Sequence, residues 1–248
     1  MNCFSSEIGH DYATYSFAYS RFVQLTTDDR LSEVYTQGYL PFSGSPDVHG
    51  VGYMARSLRI RLEHWLPNSE NRRIYRKFDS VERIALPLPE LIDRSQMLNF
   101  CHAYFAERHG ENIMPAARLA YILGSGWVTD VVSYLYQGKI AAYVWLGRDG
   151  TATHFYYSFY DLTYAKQSLG LWLMTDLALE SQARGNKHLY LGTAYGEKGL
   201  YKINFDGLEW WDGQDWCSDR EALKQLCRTD ESRKLEAIDR WKESLYRF

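Results

Sequence analysis

Three consecutive apolar runs constrain this chain more than any other feature: WVTDVVSYLY from Trp127, KIAAYVWLG from Lys139 and ATHFYYSFYD from Ala152. They are separated by Gln137-Gly138 and Asp149-Gly150, pairs suited to the positive φ of tight hairpin turns. Their β-branched and aromatic side chains fit a pleated surface better than a helix, so the stretch reads as an antiparallel meander. After the linker Leu162–Ser168, LGLWLMTDLALESQARGN has a different texture. Leu169, Leu173 and Leu177 recur at helical spacing, flanked by Gly170, Met174 and Ala178. Asp176 and Glu180 fall off that face, and Gly185-Asn186 stops the helix. HLYLGTAY follows as one more strand.

Upstream the pattern is mixed. Residues 1–25 are polar and aromatic without a clear period, and no element is assigned there. Thr27 is placed to cap a short helix through Val34 and Tyr35, ended by Gly38. YLPFSGSPDVHGVGY reads as a loop. From Arg56 to Glu63, Leu58, Ile60 and Leu62 point one way, with Arg59, Arg61 and Glu63 the other. This predicts a half-exposed strand with two arginines on its wet face. Asn68 or Ser69 caps a helix through Phe78, and Val81–Leu86 is a strand stopped by Pro87 and Pro89. Asp93 or Ser95 opens a helix closed by Gly110, on which His102 and His109 read as surface or packing residues. Downstream, LEWWDGQDW predicts a strand or hairpin around Asp212-Gly213. Ser218 or Asp219 then caps a charged helix through Leu245.

A chain of 248 residues makes one large domain or two modest ones. A boundary falls between a basic N-terminal region, 1–115, and a β-rich region, 116–248. The net charge of −3 excludes a surface coated for generic nucleic-acid binding, but not a local basic patch. Such a patch runs from Arg56 to Lys77, with seven basic residues against two acidic ones. It reads either as a solvated helical face or as a phosphate-contacting surface, since arginine forks match phosphate oxygens. Cys3, Cys101, Cys217 and Cys227 form no paired motif, so no metal site is expected and a reducing compartment fits. No apolar stretch reaches about 18 residues. The expectation is a cytoplasmic protein without a membrane segment.

The residues richest in chemistry lie in HLYLGTAYGEKGLYKINFDGLE, from His188 to Glu209. Two amines (Lys198 and Lys202), two phenols (Tyr195 and Tyr201) and Glu209 crowd together there. Such a set decorates a surface or serves acyl transfer, which needs proton donors and acceptors beside a reacting carbonyl. The order meander, loop, helix, strand, short helix, terminal strand resembles the acetyltransferase-type (GNAT) fold. The implied class is α+β: a largely antiparallel mixed sheet with flanking helices, preceded by a smaller basic α/β region. In that fold the strand–loop–helix junction, here Asp161–Gly170, presents backbone N–H groups to a phosphate or acyl donor.

The same residues resemble the aminoacyl-tRNA–protein transferases of the arginyltransferase type, including the bacterial leucyl branch. Asp161, Tyr164, Ala165, Ser168, Leu169 and Gly170 echo the segment that precedes that family's helix. Tyr190-Leu191-Gly192 and then Lys198, Leu200, Tyr201, Lys202, Phe205 and Glu209 match a second motif at the family spacing. Pro67, Ser69, Asn71, Arg72 and Arg73 echo a third. The departures are equally specific. The loop PFSGSPDVHG lacks the family's cysteine motif, Thr193 and Ala194 separate Gly192 from Tyr195, and Gly207 replaces a proline.

The resemblance implies transfer of an amino acid, arginine or leucine, from aminoacyl-tRNA to an amine, a protein or peptide N-terminus. No cofactor or metal is implied, because the ester is already activated. Asp161 or Glu209 would accept the proton, and Tyr201 or Tyr195 would donate to the developing alkoxide. Lys202 would hold the terminal phosphate or an acidic side chain. Ser168, Leu169, Gly170, Gly192 and Lys198 would bind substrate, and Arg59, Arg61, Arg72, Arg73 and Arg76 would contact tRNA. Two alternatives stay open. One is an acyl-CoA-dependent N-acyltransferase using acetyl-CoA, for which Gln167–Trp172 is a poor glycine loop. The other is a non-catalytic RNA- or peptide-binding relative.

Overall fold

A computed structural model of the chain describes residues 1–12, 16–45 and 48–230. The first elements are strands β1 (Asn2–Asp11) and β2 (Ser16–Gln24), helix α1 (Leu31–Thr36), and strands β3 (Tyr39–Pro41), β4 (Val51–Met54) and β5 (Ser57–Arg61). Helix α2 (Ser69–Tyr75), strand β6 (Glu82–Pro87), and helices α3 (Arg94–His109) and α4 (Ala116–Leu123) follow. The meander is β7 (Asp130–Tyr136), β8 (Lys139–Asp149) and β9 (Ala152–Tyr160). Helix α5 (Leu169–Ala183), strands β10 (His188–Thr193), β11 (Leu208–Trp211) and β12 (Trp216–Cys217), and helix α6 (Arg220–Thr229) complete the chain. Single 3₁₀ segments at Leu162–Gln167 and Glu197–Asn204 precede α5 and follow β10.

The meander forms as its sequence requires. Gln137 and Gly138 both take positive φ, 53° and 74°, which a tight two-residue turn demands. Period-two alternation then sends neighbouring side chains to opposite faces of one sheet. Val132, Tyr134, Val144 and Leu146 join the core shared with α5, whereas Val131, Tyr143, Trp145 and Phe159 join the core shared with α3 and α4. Both faces are therefore covered, which is why these strands are apolar throughout.

The eight-stranded sheet has the order β12-β11-β5-β10-β9-β8-β7-β6, and every pair is antiparallel except β9–β10. β5 and β6 precede residue 116 in sequence but lie in this sheet, so it crosses the boundary that composition suggests. A smaller antiparallel sheet, β1-β2-β4-β3, comes from the unassigned first 25 residues and the glycine-rich loop after Gly38. Short, weakly periodic strands of this kind draw their stability from tertiary pairing rather than from local preference.

Several expected details differ. The residue before α1 is Arg30, not Thr27; a turn closed by Asp29 onto the Thr26 N–H intervenes. Arg59 is buried rather than wet, because its Nε donates to Glu209 at 2.7 Å from the adjacent strand. Asp176 is also buried, although it falls off the leucine face. Its carboxylate accepts from the hydroxyls of Tyr75 (3.1 Å) and Tyr134 (2.9 Å) and from Arg83 (2.8 Å). The helix caps agree better: Asn68 forms a reciprocal capping box with Asn71, Asp93 caps α3, and Asp219 caps α6. The remainder of the helix expected through Leu245 lies outside the described residues.

A buried carboxylate with three donors is costly to disturb, because removing it strands Tyr134 and Arg83. Asp176→Ala is expected to lower unfolding free energy by about 3–5 kcal/mol, measured by urea denaturation.

Candidate active site

The parallel strands β9 and β10 pair only at Ala152–His154 against His188–Tyr190. Beyond that point each strand is distorted at the same level. On β10 the register against β5 shifts between Tyr190 and Thr193, where Gly192 sits at φ 75°, a conformation side-chain-bearing residues rarely adopt. On β9 the register against β8 shifts between Trp145 and Leu146, leaving Tyr156 as an extra residue. The strands consequently part and open a cavity of about 380 Å³.

One side of the cavity is β9 from Phe155 to Ser158, and the other is β10 from Leu191 to Thr193. Tyr201 and Lys202 come from the 3₁₀ segment after β10, Tyr53 from the small sheet, and His109 from the end of α3. Lys202 Nζ donates to the Thr193 carbonyl at 3.0 Å and lies 5.8 Å from the Tyr201 ring centroid. Burial disfavours its charged form and pulls its pKa down to about 8. Tyr201 keeps 48% of its surface exposed, and desolvation on its cavity side raises its phenol above the ordinary value, so it stays a proton donor at neutral pH. His109 is pulled down by burial and then by the charges of Arg108 and Lys198. His154, 1% exposed, lies on the cavity wall with neither ring nitrogen partnered. Burial, reinforced by the Lys202 charge, brings its pKa down to about 3 and keeps it neutral.

The structure gathers only part of the set expected from sequence. Gly192, Tyr201 and Lys202 line the cavity, and Lys198 lies close enough to act on His109. Asp161 does not line it; its carboxylate caps the 3₁₀ turn through Thr163, at 2.9 Å to the N–H and 2.6 Å to the hydroxyl. Glu209 is held on β11 by Arg59 at 2.7 Å and Arg61 at 3.3 Å. Tyr195 belongs to a separate cleft, where its hydroxyl accepts from the Arg56 N–H at 2.9 Å and its ring faces the Arg56 guanidinium.

Ser168 takes a left-handed conformation, φ 67° and ψ 36°, at the start of α5, and its side chain makes no cap. Leu169 is fully buried in the core. Gly170 lies against Tyr160, whose ring would meet an added Cβ at 3.3 Å. None of these three lines the cavity.

The basic patch is also divided. Arg59 and Arg61 are engaged by Glu209, and Arg73 by Glu70 at 2.6 Å. Arg72 on α2 and Arg76, which caps its C-terminal end one turn later, line a shallow cleft with Tyr75, Pro67 and Leu179. Sequence reasoning passed over Tyr53, His154, Ser158 and Thr193 and set His109 aside. Only the strained glycine in Tyr190-Leu191-Gly192 marked the level at which these residues meet. Among the described residues, no group of three or more His, Cys, Asp or Glu side chains could hold a metal ion. No helix among them is long and apolar enough to cross a membrane.

With this geometry established, residues 71–202 match the acetyltransferase (GNAT) domain family. The chain belongs to that family. No curated protein matches it in sequence. Among solved structures it is similar to the C-terminal domain of a protein described as a lysylphosphatidylglycerol synthetase from Agrobacterium fabrum. That match has 14% identity and a TM-score of 0.46 and covers 60% of this chain and 49% of that one. L-PGS from Bacillus licheniformis matches at 12% identity and TM-score 0.46, over 79% of this chain and 60% of that one. FemX matches at 7% identity and TM-score 0.43, over 77% and 79%. The chain thus spans 49% and 60% of the length of the first two.

A half-buried lysine whose pKa falls from 10.5 to about 8 costs stability below pH 8, where it must be charged in the folded state. Between pH 8 and 10.5 the unfolded chain binds the extra proton, so that cost fades as pH rises. Lys202→Met is therefore expected to be more stable than the parent at pH 7 by roughly 1–3 kcal/mol. The gap should narrow toward pH 10, as followed by thermal and urea unfolding across pH.

Proposed function

We propose that the chain is an aminoacyltransferase that moves an amino acid from aminoacyl-tRNA to an amine, with a protein or peptide N-terminus as acceptor. Acyl transfer follows from the family. The choice of donor is supported by the spacing of Tyr190-Leu191-Gly192, Lys198, Tyr201, Lys202, Phe205 and Glu209. The observation that carries the reading is the half-buried Lys202 amine beside Gly192, where β9 and β10 part.

In this reading the ester carbonyl lies in the gap and the acceptor amine attacks its carbon. A C–N bond forms, the C–O bond to the ribose breaks, and the amine's proton passes to neutral His109. The Lys202 ammonium donates to the carbonyl oxygen as negative charge develops there. Its bond to Thr193 holds the ammonium in place, so little reorganisation is needed during reaction. Tyr201, on the same short turn, gives its proton to the departing ribose oxygen. Asp161, Tyr195 and Glu209 act through the scaffold, since each is committed to a partner outside the cavity. Arg72 and Arg76 offer the best-placed phosphate contacts of the basic patch.

The second reading, an acyl-CoA-dependent N-acyltransferase, is favoured by family membership. Against it stands the start of α5. Leu171 and Trp172 are bulky where a phosphate-cradling loop needs small residues, and Tyr160 packs on Gly170.

Incubation with charged tRNAs and an N-terminal peptide, in parallel with acetyl-CoA, separates the readings. Transfer of the amino acid from tRNA is expected; labelling from acetyl-CoA alone would overturn the proposal. Within the active assay, Lys202→Ala is expected to lower kcat by about 10²–10³ and Tyr201→Phe by at least ~10, with far-ultraviolet circular dichroism unchanged. For tRNA binding, replacing both Arg72 and Arg76 with Ala should reduce the slope of log K against log salt by about 2. A slope indifferent to both changes removes this helix from the tRNA surface.

A further inference from the structure

Among the described residues, Lys202 is the side chain that brings a formal charge to the wall of the cavity described above. Among the described residues that line it, none is Asp or Glu, although the chain carries 31 of them. Cationic side chains act on its ionisable groups: Lys202 on His154, Arg108 and Lys198 on His109, Arg108 on Tyr201 and Tyr104, and Arg118 on Tyr157; the other coulombic influences come from neighbouring tyrosines. Its walls are otherwise uncharged: apolar and aromatic residues such as Leu40, Phe155, Met174 and Leu191 alternate with the hydroxyls of Ser43, Ser158 and Thr193. A cation entering such a space loses its hydration, meets an ammonium and finds no counter-charge, whereas an uncharged group loses little and gains apolar contact.

We propose that the cavity selects donors whose acyl side chain is uncharged and excludes cationic ones such as arginyl and lysyl, with Lys202 as the excluding charge. This rests on the acyl-transfer reading of the cavity and not on tRNA as the donor. The α-amine of an aminoacyl donor has an ordinary pKa near 8, so it enters as the neutral base at little cost at neutral pH. Of the two amino acids that the sequence resemblance implies, the cavity fits leucine and rejects arginine.

The test uses the full chain, one amine acceptor peptide and two sets of donors. The first set is tRNA charged with leucine, phenylalanine, lysine or arginine. The second is butyryl-CoA against 4-aminobutyryl-CoA, which differ by one terminal ammonium. In whichever set reacts, kcat/KM for the uncharged donor is expected to exceed that for the cationic one by at least ~30-fold. In Lys202→Met the ratio should fall to a few-fold even where both rates drop. In Ser158→Asp, which places a carboxylate on the cavity wall, it should reverse. Circular dichroism and melting establish that each variant is folded. Equal or preferred use of the cationic donor overturns the proposal, and so does an unchanged ratio in both folded variants. Transfer from the thioesters alone overturns tRNA as donor, and the butyryl pair still decides the selectivity. No transfer from either set overturns both readings.

Discussion

The architecture turns on the place where two parallel strands stop pairing. β9 and β10 share three residue pairs and then part, because Gly192 breaks the register on one side and the extra Tyr156 breaks it on the other. A sheet buried on both faces resists such an opening, since every unpaired backbone group must find another partner. Part of the compensation is visible in Lys202, whose ammonium takes the Thr193 carbonyl that the missing strand pair leaves exposed. In the proposed reaction the same ammonium faces the carbonyl oxygen, so the device that tolerates the gap would also serve the chemistry. The small sheet closes one side through Tyr53, and α3 brings His109 to another.

Net charge is a poor guide to this site. The chain is acidic overall, yet the carboxylates it withdraws from water, wholly or in part, are spent elsewhere. Asp176 anchors Tyr75, Tyr134 and Arg83, Glu180 holds Arg148 at 2.8 Å, and Glu209 joins Arg59 and Arg61. Each removes an acid from reach of the cavity. Lys202 and the more distant arginines then set the local potential without opposition, and a low dielectric makes that potential count. The result suits a site that must stabilise an oxyanion and keep an attacking amine neutral.

Sequence periodicity made the meander, α5 and the capped helices α2, α3 and α6 legible, because those elements follow local rules of alternation, helical spacing and capping. It missed the small sheet, whose strands are too short and irregular to declare themselves. It also misplaced Arg59 and Asp176, for which tertiary partners overrode the polar side of the pattern. At the site, a motif at fixed spacing brought Gly192, Tyr201 and Lys202 forward, because all three sit within one short strand-to-turn segment. Tyr195 and Glu209 share that motif region, and Asp161 opens the motif before α5, yet none of the three lines the cavity, since spacing along the chain does not reveal which side chain is already engaged. His109 and His154 carry no local signature; only the packing of α3 and the parting of β9 from β10 bring them together.

The proposed function depends on Lys202 being a half-buried amine with no carboxylate partner among the described residues, at the point where the strands separate. An NMR titration of the Lys202 ε-methylene carbon, assigned by comparison with Lys202→Met, tests this directly. A midpoint near pH 8 is expected, well below the ordinary lysine value. A midpoint at the ordinary value of 10.5 would show an amine open to water or paired with an acid, and would contradict it.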